Sequence, residues 1–258
     1  MMAKLRGGAW LGLLPPLIVL IVWETMAEAG RLPDYLPAPS IIARQTLTML
    51  ASGELMRHIG VSLFQALSGF AIGAFFGTVL GLLSGALRPV DRFYEPLISL
   101  TYPVPKIALL PLIFAWFGLG DLSKIVTIII SVFYPIYISA LAGAKSVSRV
   151  HVWAARNMGA SATQIIWRVL LPTALPQIFT GLRIGLALSF VVMFVAEMVE
   201  SSVGLGYLIL FAEQNLRFDM MYVAIVSIGI IGFSADFLLR QIGKRLLVGQ
   251  LTATEIRR

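Results

Sequence analysis

The sequence predicts an all-α, polytopic membrane protein with about six transmembrane helices, and three observations carry that expectation. Apolar residues make up 58% of the 258, charged residues only 13%, and mean hydropathy is +0.88; a soluble domain carries about a quarter charged residues. The apolar residues also gather in long runs. Residues 59–87 and 125–144 contain no Asp, Glu, Lys or Arg, and about 20 mostly apolar residues suffice to cross a bilayer as a helix. Finally, the formal charge of +7 is sorted by side. With the N-terminus inside, six spans put Lys4, Arg6, Arg88, Arg92, Lys145, Arg149, Arg156, Arg168, Arg240, Lys244, Arg245, Arg257 and Arg258 in the cytoplasm. Arg31, Arg44, Arg57, Lys124 and Arg217 fall outside. This satisfies the positive-inside bias of a membrane protein, so the basic excess signals topology and not a nucleic-acid partner. With no cysteine in the chain, disulfides and thiol chemistry are excluded.

The first expected span covers residues 7–23, and Pro15-Pro16 should bend it because two backbone donors are missing. Lys4 and Arg6 before an apolar core also fit a signal peptide, but no small-x-small pattern closes it, so a retained span is expected. The run GRLPDYLPAPS then makes a proline-rich external connector. A mildly amphipathic helix over residues 41–50 follows, too short to span. In the second span, over residues 59–87, Gly69, Gly73, Gly77, Gly81 and Gly85 recur every four, a small-residue ridge on which another helix can pack closely.

The third span, residues 96–120, opens with TYPVPKIALLP. Three prolines in nine residues forbid a regular helix there, and irregular backbone inside a membrane needs protein or water around it. WFGLGDLSK turns into the fourth span, residues 125–144. About 25 residues outside the membrane precede the fifth, residues 169–196. VGLGYLILFA is too short to span and is expected to dip into or cap the outer mouth. The sixth span covers residues 220–239. The chain thus divides into residues 1–56, with the first helix and connector, a core at 57–247, and a tail at 248–258.

Inside the polar interval stands AARNMGASATQIIWRVLLP. Ala154-Ala155, three residues, Gly159, nine residues, Val169, Leu170 and Leu171-Pro172 match over nineteen positions the "EAA" loop of ABC-importer permeases, which this segment resembles. Trp153 stands where that family has glutamate. Small alanines suit a helix seated in a partner's groove, Gly159 permits a turn at positive φ, and Pro172 suits the first turn of a span. LPAPSII, SLFQALSGFAIG, PKIALLPLIFAWFGLGDLSKI and VAEMVESSVGLGYLI look like the sulfonate, nitrate and taurine group of these permeases.

The resemblance implies half of a homodimeric pore that imports a small anionic or aromatic solute by alternating access. Residues 145–171 would dock an ABC ATPase through Ala154, Ala155, Arg156, Gly159, Ala160, Val169, Leu171 and Pro172. It further implies a soluble extracytoplasmic substrate-binding protein, a lipid surround and cytoplasmic termini. No GxxxxGK[ST] loop exists in the chain, so it is expected to be no enzyme, to hold no cofactor or metal, and to leave ATP-Mg to the ATPase.

Ionisable residues in or near spans are the pathway candidates, because a bilayer tolerates them only beside a cavity or a partner. Lys106, Met193, Glu197 and Glu200 are the gate candidates, with Glu197 paired to Lys106. Arg183 and Asp236 are expected near cytoplasmic ends, snorkelling to water, and His58 and His151 as solvated side chains. Two other readings stay open on the sequence: a self-contained secondary carrier or channel using the membrane charges, and a scaffold subunit without a pathway.

Overall fold

The computed structural model describes residues 9–255, and every regular element among them is helical. Eleven α-helices follow one another: α1 Ala9–Glu28, α2 Pro39–Ala51, α3 Glu54–Ala86, α4 Arg88–Thr101, α5 Leu110–Phe117, α6 Asp121–Lys145, α7 Arg149–Asn157, α8 Ala162–Ile165, α9 Leu171–Val199, α10 Leu205–Gln214 and α11 Phe218–Glu255. Among the described residues four stretches are long and apolar enough to cross a membrane: Glu54–Ala86, Asp121–Lys145, Ala162–Val199 and Phe218–Leu247. They correspond to the second, fourth, fifth and sixth expected spans. The other two of the roughly six expected are less regular. The third span is two helices, Arg88–Thr101 and Lys106–Phe117, bent by 83° at the break. The proposed first span begins in residues outside the described set; from Ala9 it is a proline-bearing helix running on to Glu28.

Prolines explain the bend. Pro103 and Pro105 remove two consecutive opportunities for a helical hydrogen bond, and the chain restarts as a 3₁₀ turn over Lys106–Leu109 before Pro111 enters α5 in its first turn. Lipid offers the exposed carbonyls nothing, so protein groups must satisfy them. Lys106 does so, as described below.

The centre of the bundle is α3 against α6 against α9. Apolar side chains gain little by leaving lipid for one another, so close packing has to hold these helices together. The α3 glycine ridge is the means. A Cβ added at Gly73 or Gly77 would stand 2.9 Å from the Ile129 or Phe133 carbonyl of α6, and one at Gly81 would stand 2.6 Å from that of Tyr137. The two backbones touch, as the four-residue glycine spacing predicts. On the other side of α6, Gly181 and Gly185 of α9 lie against Ser139 and Ile136. Ala66, Ile128, Val132, Ile136, Leu186 and Phe190 fill the interior between the three helices. A second cluster joins α2, α10 and the start of α11 through Ile42, Met49, Leu208, Ile209, Val223 and Ala224. The α10 helix therefore lies on the bundle end away from the α6–α9 connection.

Candidate functional site

Two constructions stand out, one at each end of the bundle. At the end where α6 leads to α9, residues 146–170 fold as helix, turn, helix. Ser148 opens α7 by accepting the Val150 N–H at 3.3 Å. Gly159, at φ +82°, closes it: the Gly159 N–H goes to the Arg156 carbonyl at 2.9 Å and the Ala160 N–H to that of Ala155 at 3.0 Å. This is the paired bond pattern in which a left-handed residue satisfies a helix's last carbonyls. Ser161 then starts α8 with a reciprocal cap, accepting the Gln164 N–H at 3.3 Å while Gln164 Oε1 accepts the Ser161 N–H at 2.8 Å. Sequence reasoning passed over Ser161 and Gln164, although Ser-x-x-Gln is a readable helix-start pattern.

A small core fixes this unit. Val147, Ala155, Ile165 and Leu170 are buried together, while Ala154 is exposed, so the two adjacent alanines do different things. Trp153, Met158 and Trp167 stand 59%, 80% and 63% exposed, an uncovered apolar surface beside the exposed Arg156. A cavity of about 840 Å³ opens between this unit and the α3–α4 junction, lined by Trp153, Arg156, Ile165, Arg88, Asp91 and Lys145. Lys145 pairs with Asp91 across it at 2.8 Å.

Pro172 lies in the first turn of α9, as expected, and residues 166–170 form a π-helical turn that runs directly into that helix. A proline ring collides with the carbonyl four residues earlier in an α-helix, and a widened turn relieves that. The α8 helix, the π turn and the fifth span are thus one continuous rod, Ala162–Val199. Val169 and Leu171 are half-buried along it.

At the opposite end, Glu197 is 1% exposed. Its Oε1 accepts the Ser62 hydroxyl at 2.7 Å and its Oε2 accepts the Gly206 N–H at 2.7 Å. Ser62 Oγ in turn accepts the Leu205 N–H at 2.8 Å, and His58 Nδ1 lies 3.0 Å from the Gly204 N. Three consecutive amides at the start of α10 are therefore held by three side chains from α3 and α9. Such amides have no partner within their own helix, and the dipole there favours a carboxylate. Gly204 and Gly206 are required because a Cβ at either would run into Glu197.

This geometry revises four sequence expectations. Lys106 does not pair with Glu197: its ammonium donates to the Thr101, Tyr102 and Val104 carbonyls at 2.7, 2.8 and 2.7 Å and sits 4.1 Å from the Tyr134 ring centre. Three donors meet the loose carbonyls at the end of α4, where a cation is favoured. Met193, at 1% exposure, packs within the α3–α6–α9 core and faces no open space. His58 is buried and bonded instead of solvated, and Arg183 pairs with Asp236 at 3.0 Å instead of merely reaching for water. Glu200 is exposed at the end of α9. Lys124, at the start of α6, is buried and donates to Ser201 Oγ at 3.1 Å.

Residues 73–248 match the family model "Binding-protein-dependent transport system inner membrane component". The chain belongs to this family. It is 37% identical to the taurine transport system permease protein TauC of Escherichia coli (strain K12), over 89% of this chain and 86% of that one. It is 32% identical to the putative aliphatic sulfonates transport permease protein SsuC of Bacillus subtilis (strain 168), over 94% and 88%. Among solved structures, a chain of the inward-facing MetNI methionine ABC transporter superposes with a TM-score of 0.66 over 76% of this chain and 97% of that one. At 20% identity, that likeness speaks for the fold. The protein is thus an ABC-importer permease, an integral inner-membrane component. Membership implies an ATPase partner and a substrate-binding protein.

Proposed function

We propose that this permease carries a small sulfonate of the taurine class into the cell as one half of a homodimer, with both termini cytoplasmic and lipid around the spans. The names of the two relatives support that solute class, and the distribution of basic residues supports the orientation. The α7–α8 unit, with Ala154, Ala155, Arg156, Gly159 and Ala160, docks the ATPase subunit, which holds the ATP and Mg²⁺.

One observation carries this reading. The second helix of the docking unit, α8, is continuous with α9, and α9 reaches α10 through Glu197. A helix of 38 residues is about 57 Å long at 1.5 Å per residue, enough to cross the bilayer with a turn to spare at each side. A push delivered at Trp153 and Met158 when the ATPase closes travels along a stiff rod to the outer mouth. The solute is admitted from one side at a time because the α3–α6–α9 packing has two arrangements of similar energy.

Two measurements test the proposal. Affinity purification of the tagged chain from its native membrane should recover an ATPase subunit, and Gly159→Val should lose it. The permease, its ATPase and its binding protein together in proteoliposomes should import labelled taurine only with ATP inside the compartment where the ATPase lies. Recovery of the chain alone, or uptake driven by an ion gradient without ATPase, would overturn it.

A further inference from the structure

A third polar construction lies between the two ends. Arg183 Nε of α9 donates to Asp236 Oδ1 of α11 at 3.0 Å, and Arg240 Nη2 meets Asp236 Oδ2 at 2.7 Å. The group holds two positive charges and one negative. Its side chains are 49%, 31% and 41% exposed. Along α9, Arg183 is 14 residues from Glu197 and 15 from Arg168, about 20 Å from each.

The packing of α9 fixes which way Arg183 looks. Ala174, Ile178, Gly181, Gly185, Ser189 and Val192 are buried and form the face turned to α6. Arg183 shares the opposite face with Thr180, Ile184, Ala187 and Val191, and every one of these is exposed in the single chain. A guanidinium on a span costs several kcal/mol against hydrocarbon, on the order of 3 by insertion scales. A stripe carrying one therefore faces water or a polar partner.

We infer that Arg183 is an anion-binding position in the translocation pathway, taking the monoanionic oxyanion head of a sulfonate. The carboxylate of Asp236 engages Nε alone, so both Nη groups remain for a two-point contact with oxygens, the geometry in which arginine outdoes lysine. Asp236 orients the guanidinium and also offsets part of its charge, and Arg240 restores a net charge of one. An anion is thus attracted but held loosely, as a site that must also release its cargo requires. This inference rests on the permease reading above and deepens its choice of solute.

The chain has no cysteine, so a single introduced thiol reports its own surroundings. Thr180→Cys and Ala187→Cys, one turn either side of Arg183, are made in the full complex with ATPase and binding protein. Each is treated with a methanethiosulfonate carrying a sulfonate and with one carrying a trimethylammonium group. The sulfonate reagent should react several-fold faster, and adding Arg183→Gln should bring the ratio to near unity, with Arg183→Lys in between. Co-purified ATPase shows that each variant is assembled. No reaction of either reagent in any nucleotide state would place this face against lipid and overturn the inference, as would a ratio unaffected by Arg183→Gln.

Import of labelled taurine forms a separate arm. If wild-type complex imports taurine, Arg183→Gln should lower the rate at least several-fold while Arg183→Lys partly restores it; an equal rate overturns the site. If wild-type complex imports no taurine yet the reagent ratio depends on Arg183, the site stands and the taurine assignment falls.

Discussion

Glu197 and Gly206 meet through a 2.7 Å hydrogen bond from the Gly206 N–H to the Glu197 carboxylate, closing a loop of nine residues at the end of the fifth span. The bond turns a buried acid, whose isolated burial would be costly, into the anchor of a short helix. Its consequence for variants follows from what each replacement can still accept or donate.

Glu197→Ala leaves the Gly206 N–H and one Ser62 contact without partners, at about 1–3 kcal/mol for each buried group. Hydrogen exchange over residues 204–208 should rise and transport should fall. Glu197→Gln keeps an oxygen for Gly206 and offers its amide N–H to Ser62, so exchange there should stay close to wild type. If Gln loosened α10 as much as Ala does, the charge itself, and not the bonding pattern, would be holding the helix.

Glycine positions on α3 should divide sharply by what lies opposite. Gly81→Ala puts a methyl group against the Tyr137 carbonyl of α6 and should cost about 1–3 kcal/mol by overpacking. Gly60→Ala meets nothing within 4 Å and should leave stability unchanged or raised by about 0.5–1 kcal/mol. Thermal unfolding in detergent compares the two; equal effects would mean that the α3–α6 contact does not set stability.

Lys106 braces the break between α4 and α5. Lys106→Met removes its bonds to three carbonyls and should lower stability by roughly 1–2 kcal/mol, the upper range for a cation at a helix end. Lys106→Arg should recover only part, because a planar guanidinium cannot meet three converging carbonyls as an ammonium does. The melting temperatures of the three proteins should order Lys, Arg, Met; a melting temperature for Met at or above wild type would remove the bracing role.

At the Gly159 turn, where the proposed ATPase contact lies, the backbone and not crowding is limiting. A Cβ at Gly159 has open space around it, but φ is +82°. Gly159→Asn should therefore retain ATPase binding, since asparagine tolerates the left-handed region. Gly159→Val should weaken binding strongly, a β-branched residue being a genuine outlier there. Equal binding by both, measured by co-purification, would show that the turn can be reshaped without loss.

Much of the fold was readable in advance because the bilayer imposes simple rules. Unbroken apolar runs marked α3 and α6, and the glycine repeat marked the face on which they meet. The paired alanines and Gly159 marked the turn between α7 and α8, where the left-handed φ matches the residue chosen for it. The third span was readable only as irregular. Prolines say where a helix fails, whereas the 83° angle depends on how Lys106 and Tyr134 hold the freed ends.

Side-chain partnerships were the hidden part. His58, Ser62 and Glu197 are separated by up to 139 residues, and no local pattern joins them to the amides of Gly204, Leu205 and Gly206. Lys106 looked like a counter-ion for Glu197 because both are charged residues near spans. Its nearest carbonyls, two to five residues away, took it first.

By itself the sequence determined that this chain lives in a membrane, where its long apolar helices run, which helix face is smooth enough for backbone contact, and where the polar turn between α6 and α9 falls. Those features depend on composition and on spacing within one helix, which the solvent and the 3.6-residue turn fix locally. Only the tertiary structure decided how each buried charge is spent: Lys106 on a helix end, Glu197 on α10, Arg183 on Asp236. An ionisable group in a low-dielectric interior binds whichever partner the fold brings within about 3 Å, at an energy cost that makes the choice binding. That choice is a property of three dimensions, and no spacing along the chain encodes it.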